Sequence, residues 1–132
     1  MLRWNRKLAA TVGEVEQFCQ ALRRELSGQW LKADVSAAEL VFREVLANAI
    51  EHGGKFDPEQ TIAVDLAVDD GRLSARVSDP GAGFPMPPPP SDEPGRGHGL
   101  QILAYYTAAH RFEDGGRTVA FELTLHPSES KE

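Results

Sequence analysis

Glu44, Asn48 and His52 recur every four residues in the stretch Glu39-Leu40-Val41-Phe42-Arg43-Glu44-Val45-Leu46-Ala47-Asn48-Ala49-Ile50-Glu51-His52-Gly53. On a helical wheel turning ~100° per residue, with Glu44 at zero, Asn48 falls near ~40° and His52 near ~80°. The three make a polar ridge beside an apolar face of Phe42, Val45, Leu46, Ala49 and Ile50. A solvated helix face is the ordinary reading of such a ridge. Two details favour chemistry. Asn is a poor residue for a helix interior. A carboxylate that can take a proton, one turn from a neutral amide oxygen that can ligate Mg²⁺, is also what a nucleotide site needs.

Two glycine-rich stretches follow. Asp79-Pro80-Gly81-Ala82-Gly83-Phe84 comes directly after a strand-like run. It reads either as an Asp-Pro-Gly turn or as an aspartate fixed at a strand end. In the second reading Asp79 accepts from an adenine amino group, and Gly81 and Gly83 let the backbone approach the ligand. Gly95-Arg96-Gly97-His98-Gly99-Leu100 precedes a helical pattern. Glycines before a helix N-terminus expose N–H groups suited to phosphate, though a flexible loop has the same composition. The spacing matches neither the Rossmann fingerprint nor the P-loop.

The elements that must hold these residues can be read from periodicity. Leu2, Trp4 and Leu8 suggest a short first strand. Thr11-Val12-Gly13-Glu14 has capping-box spacing and opens a helix with Val12, Val15, Phe18, Cys19, Leu22 and Leu26 on one face, stopping near Gly28. Cys19 on that face reads as a small core residue. Ser36-Ala37-Ala38-Glu39 has the same spacing and predicts a second helix that Gly53-Gly54 closes. Alternation at Ile62, Val64, Leu66 and Val68, the turn Asp70-Gly71, and Leu73, Ala75 and Val77 predict a β-hairpin. Residues 100–109 predict a third helix. Residues 111–113, a turn at Asp114-Gly115-Gly116, and residues 118–125 predict a last hairpin. The order β-α-α-β-β-loop-α-β-β implies an α+β fold. It is a two-layer sandwich of about five strands in a mixed, mostly antiparallel sheet, covered by three helices.

The chain has 132 residues, 41% of them hydrophobic and 26% charged, as expected of one globular domain. Residues 1–126 form that domain and residues 127–132 read as a frayed, charged tail. Fourteen basic and twenty acidic side chains leave a net charge of −6. That charge argues against direct binding to nucleic acid or to anionic membranes, which need a positive field. One cysteine excludes an intrachain disulfide. No apolar run reaches the ~20 residues of a membrane span, and the first residues are too charged for a signal peptide. The expected location is the cytoplasm. Pro85-Met86-Pro87-Pro88-Pro89-Pro90 reads as a stiff lid or linker, with a polyproline ligand as the alternative.

Taken in order, Glu44-x-x-x-Asn48, Asp79-x-Gly81-x-Gly83, Gly95-x-Gly97-x-Gly99-Leu100 and Gly115-Gly116-Arg117-Thr118 resemble the boxes of the GHKL (Bergerat-fold) ATPase superfamily. The likeness spans about residues 10–125. Its size, and Asp-Pro-Gly-Ala-Gly-Phe-Pro before a Pro-rich lid, look like the stand-alone anti-sigma-factor serine kinases of the RsbW/SpoIIAB type. The resemblance implies ATP and Mg²⁺ as cofactors, with Glu44 the general base and Asn48 the Mg²⁺ ligand. It implies that Asp79 holds the adenine amino group, with Thr118 nearby. It also implies that Gly95, Arg96, Gly97, His98, Gly99 and Leu100 cover the phosphates and that His52 belongs to the nucleotide-binding set. The implied partner is a STAS-domain anti-anti-sigma protein, with a sigma factor or other regulator as a second partner and a homodimer as a possible assembly. Two other readings stay open: a non-catalytic ATP-dependent binding switch, and an ATPase module for a histidine phosphotransfer partner. The proline run and the glycines predict that residues 86–97 are open without ligand and order on ATP.

Overall fold

The computed structural model describes residues 1–53, 55–79 and 98–128. Its elements run β1 (Leu2–Ala9), α1 (Val12–Leu26), α2 (Lys32–Asn48), a π turn (Ala49–Gly53), β2 (Thr61–Asp69), β3 (Arg72–Ser78), α3 (His98–Tyr106), β4 (Ala109–Glu113), a 3₁₀ turn (Asp114–Gly116) and β5 (Thr118–Thr124). The five strands form one sheet in the order β1-β2-β3-β5-β4. Each of the four pairings is antiparallel, so the expected mixed sheet is antiparallel throughout its described strands.

Period-two alternation fixes which side of the sheet is buried. Val64 pairs with Val77 and Val77 with Val119, so one row of valines crosses three strands toward the helices. Asp70 and Gly71 join β2 to β3 with φ of 53° and 80°. Both are left-handed, as a two-residue type I′ hairpin requires. Four aromatic rings tie the layers together. Trp4 on β1 meets Phe18 on α1 at 5.8 Å, Phe18 meets Phe42 on α2 at 5.4 Å, and Phe42 meets Phe121 on β5 at 5.1 Å. These separations lie in the range where edge-to-face and tilted ring pairs attract. α2 is thereby fixed over the middle of the sheet.

Helix boundaries differ from the sequence reading where tertiary contacts override local signals. α1 starts as expected: Glu14 N donates to Thr11 Oγ1 at 3.2 Å, although the Glu14 carboxylate reaches back to Ala9 N at 3.3 Å instead of to Thr11. Ser27 caps the helix, and Gly28 follows with φ of 88°. α2 begins at Lys32, a full turn before the predicted Ser36. The C-terminal segment explains the difference. Leu31 N donates to His126 O at 2.8 Å, and the Asp34 carboxylate accepts from His126 N at 2.7 Å. These contacts organise the first turn without a side-chain cap. Pro127 and Ser128, expected to fray, are held as well: Trp30 bridges to Pro127, and Ser128 N donates to Gln29 O at 3.0 Å. α3 spans His98–Tyr106, not 100–109. It ends early because Thr107 Oγ1 donates back to Leu103 O and Ala108 N already bonds Glu122 O at 2.7 Å, so Ala109 enters β4.

Candidate functional site

The site is built where the C-terminal end of α2 meets the end of β3 and the start of β5. Glu44 and Asn48 lie one turn apart on α2, as the wheel requires, and both are half-buried. Neither side chain has a hydrogen-bond or ion-pair partner among the described residues. Such a pair retains its full donor and acceptor capacity.

After Asn48 the helix widens into the π turn Ala49–Gly53. π turns are rare and concentrate at functional sites. The wider turn changes the angle of His52 from that of the α-helical wheel. Its Nε2 lies 3.8 Å from Glu51 Oε2. The helical segment closes at Gly53, as the sequence predicts. Beyond it, Lys55 and Phe56 are left-handed, with φ of 52° and 57°, and Phe56 N closes onto Ile50 O at 2.8 Å.

Gly53 is required for another reason, which periodicity alone did not reveal. A Cβ built on it would lie 2.1 Å from Asp79 Cγ. The glycine is the seat of the Asp79 side chain and brings α2's end into contact with β3's end. Asp79 is 8% exposed. A carboxyl group buried this far is costly to desolvate, so its place in the fold calls for a specific role. Its backbone is fixed from the other side, where Asp79 N donates to Arg117 O at 2.8 Å.

Thr118, which the sequence placed near Asp79, opens β5 opposite Ser78 and is 2% exposed. Its hydroxyl lies 2.9 Å from Ser78 Oγ and donates to Asp114 Oδ2 at 2.9 Å. Ser78 and Asp114 were absent from the predicted site. The only available signal was the left-handed turn implied by Asp114-Gly115-Gly116, where the three residues have φ of 54°, 68° and 93°.

Asp79 and Thr118 therefore stand at the same end of the sheet on paired strands, with the Thr118 hydroxyl on the face of Ser78 and the Asp79 side chain against Gly53. Glu44 and Asn48 stand on the helix that ends at that point. His98, Gly99 and Leu100 form the first turn of α3, so part of the second glycine stretch is helical. Gly81, Gly83, Gly95, Arg96 and Gly97, and the expected lid at residues 86–97, lie outside the described residues.

A concavity of about 760 Å³ lies on the opposite face of the sheet, lined by Arg3, Asp65, Arg72, Arg76, Arg111 and Glu122. Charges there are matched locally: Arg76 Nη2 and Arg111 Nε reach the Glu113 carboxylate at 2.7 and 2.5 Å. None of the predicted site residues lines it. No described helix is long and apolar enough to cross a membrane.

A family model described as a histidine kinase-like ATPase domain matches residues 8–123. No curated protein matches the chain.

Proposed function

This chain belongs to the histidine kinase-like ATPase family, and from that premise we propose that it is a serine/threonine protein kinase. Its proposed substrate is a small STAS-domain anti-anti-sigma partner. Family membership implies ATP binding. The finer reading is supported by one observation above others: Glu44 and Asn48 are half-buried, one turn apart and unpartnered among the described residues, on the helix that ends against the buried carboxyl of Asp79.

The residues fit the groups the family implies. Asp79 offers a buried acceptor for the adenine amino group. Asn48 Oδ1 is a hard, neutral oxygen of the kind Mg²⁺ takes while keeping waters and phosphate oxygens as its other ligands. Bound Mg²⁺ supplies charge neutralisation on the phosphate oxygens. Glu44 positions the partner's serine hydroxyl and accepts its proton as the serine oxygen bonds to the γ-phosphorus and the bond to the β-phosphate oxygen breaks, releasing ADP. Little covalent assistance is needed, because phosphoryl transfer depends chiefly on positioning and electrostatics.

The test is transfer of label from γ-³²P-ATP to the STAS partner. Acid-stable phosphate on serine supports the proposal. Acid-labile phosphate redirects it to histidine phosphotransfer, and no transfer despite nucleotide binding leaves a binding switch. Calorimetry with a nonhydrolysable ATP analogue and Mg²⁺ checks the premise, and binding by Asp79→Asn as tight as wild type would remove Asp79 from the adenine contact.

A further inference from the structure

β1 stands at one end of the sheet order, and the polarity of its outer edge follows from a bond just beyond the strand. Ala10 continues the register of Leu8 with Ile62 and Ala9 with Thr61, and its N–H donates to Gln60 O at 3.0 Å. Hydrogen-bonded and non-hydrogen-bonded pairs alternate along an antiparallel ladder. Leu2, Trp4, Arg6 and Leu8 therefore direct their backbone groups at β2, while Arg3, Asn5, Lys7 and Ala9 direct theirs outward. Ala9 bears out this alternation. Its N–H donates to Glu14 Oε1 at 3.3 Å and its carbonyl accepts from Thr11 N at 2.8 Å, neither of them on β2. The start of α1 thus covers Ala9. The outward N–H and C=O groups of Arg3, Asn5 and Lys7 have no such partner among the described residues.

This edge is long and carries one sign of charge. Natural sheets shorten, cover or charge their edges, and β1 runs for eight residues. Leu2–Ala9 contains Arg3, Arg6 and Lys7 and no acidic residue, in a chain of net charge −6. None of the three is ion-paired among the described residues. The Arg6 guanidinium lies 4.0 Å from the centre of the Trp4 ring, which holds it beside the strand. Arg6 and Lys7 line a cleft of about 450 Å³ with Gln17 and Arg24 of α1, and the Glu14 carboxylate in that cleft is the one bonded to Ala9. The opposite edge differs: β4 has five residues, and its Arg111 pairs with its own Glu113. A second copy of β1 is a poor occupant. Paired antiparallel about Asn5, Arg3 of each copy would face Lys7 of the other, and directly opposed like charges destabilise a ladder.

We propose that the outer edge of β1 is a docking site for an acidic, extended segment of a partner protein, which joins the sheet as a further antiparallel strand. Main-chain bonds to Arg3, Asn5 and Lys7 supply affinity, and side chains supply the choice of partner. The charges set the register. A segment whose first residue lies opposite Lys7 needs carboxylates at its first, second and fifth positions, opposite Lys7, Arg6 and Arg3. Its third residue, opposite Asn5, exchanges both backbone bonds with it. Its fourth, opposite the half-buried Trp4, is apolar.

The experiment measures binding of a labelled, end-capped peptide to the full chain by fluorescence anisotropy, without nucleotide. The peptide carries Glu at those three positions, Thr at the third, Val at the fourth, and Val-Thr at each end. Saturable binding that weakens with added salt is expected. N-methylation of the third residue, whose N–H points at Asn5 O, should lower affinity about tenfold, the scale of one hydrogen bond lost with its partner left unpaired. N-methylation of the fourth, whose N–H points away, should leave affinity unchanged. Asn5→Pro removes the outward N–H at a position where an edge strand tolerates proline, and should cost a similar factor. Asn5→Ala, which keeps that N–H, should not. Arg6→Glu should lower affinity about fivefold, the scale of one cross-strand ion pair. The two N-methylated peptides decide the matter on the wild-type chain, whether or not a variant folds. Equal effects of the two methylations, equal binding of a peptide with Lys in place of Glu, or no binding of the Glu peptide overturns the proposal. So does a wild-type dimer in sedimentation that Asn5→Pro dissociates, which would assign the edge to a second copy. None of these outcomes bears on the nucleotide reading.

Discussion

Glu39 and Arg43 sit one turn apart on α2, and so do Glu44 and Asn48, yet their surroundings differ. Arg43 Nη2 meets Glu39 Oε2 at 2.7 Å, Arg23 Nε meets Glu39 Oε1 at 2.7 Å, and Arg43 also pairs with Glu16. Burial pushes the Glu39 carboxyl up, but the hydrogen bonds from Arg43 and Arg23 outweigh it and hold it below its ordinary value. Hydrogen bonds to Glu39 and Glu16 raise Arg43. α1 supplies Glu16 and Arg23 and so closes this network. No described side chain closes the second pair. Similar residues at the same spacing become a clasp where another element answers them, and remain available for a ligand where none does.

The contrast breaks most visibly at Glu44. If Glu44 takes the serine proton, Glu44→Gln lowers phosphoryl transfer by about two to four orders of magnitude, the usual worth of a general base. Nucleotide affinity and melting temperature should stay near wild type, since no described residue leans on its carboxylate. Arg43→Met should do the reverse, lowering the melting temperature while transfer continues. A Glu44→Gln enzyme that transfers label at the wild-type rate would reduce the open pair to a solvated helix face.

Gly53 sharpens the comparison with a smaller effect. Because a Cβ there overlaps Asp79 Cγ, Gly53→Ala forces the α2 end and the β3 end apart. Overpacking of this kind costs about 1–3 kcal/mol. Chemical denaturation should report that loss. Calorimetry should show weaker nucleotide binding in the same variant, because Asp79 is displaced. A variant of undiminished stability and affinity would mean that the two ends are not locked together.

Much of this was legible in the sequence, for definable reasons. The strands of the hairpins announce themselves by alternation, and Asp70-Gly71 by a turn chemistry few other pairs satisfy. Thr11 and Glu14 mark α1 because their signal is local. Ser36 misled because capping-box spacing is also local, while the start of α2 is decided by Leu31 and Asp34 meeting His126 from the far end of the chain. The π turn at Ala49–Gly53, which changes the angle of His52, leaves no mark in an α-helical period. Gly53 was visible as a glycine but not as the seat of Asp79, since that role depends on a strand 26 positions later. Ser78 and Asp114 were missed because the chain they form with Thr118 exists only once β3 and β5 pair.

The smallest expected effect concerns acid. A carboxylate held low in the folded state contributes stability that is present above its unfolded value, and loses it as pH falls through the folded one. Glu39 is such a group, with an ordinary value of 4.5, so its contribution is complete at neutral pH and disappears on the acid side. The Arg43 and Arg23 side chains are 35% and 54% exposed, and solvent screening holds the worth of the cluster to about 1 kcal/mol. Urea melts of wild type and Glu39→Gln, run from neutral pH down through the carboxylate range, should therefore converge as the pH drops, with wild type losing its advantage of about 1 kcal/mol. Arg43→Met should shrink the gap only in part, because Arg23 still reaches Glu39. A gap that stayed constant with pH would show that Glu39 stabilises the α1–α2 pair through packing of its methylenes, and the closed network would no longer differ in kind from the open pair beside it.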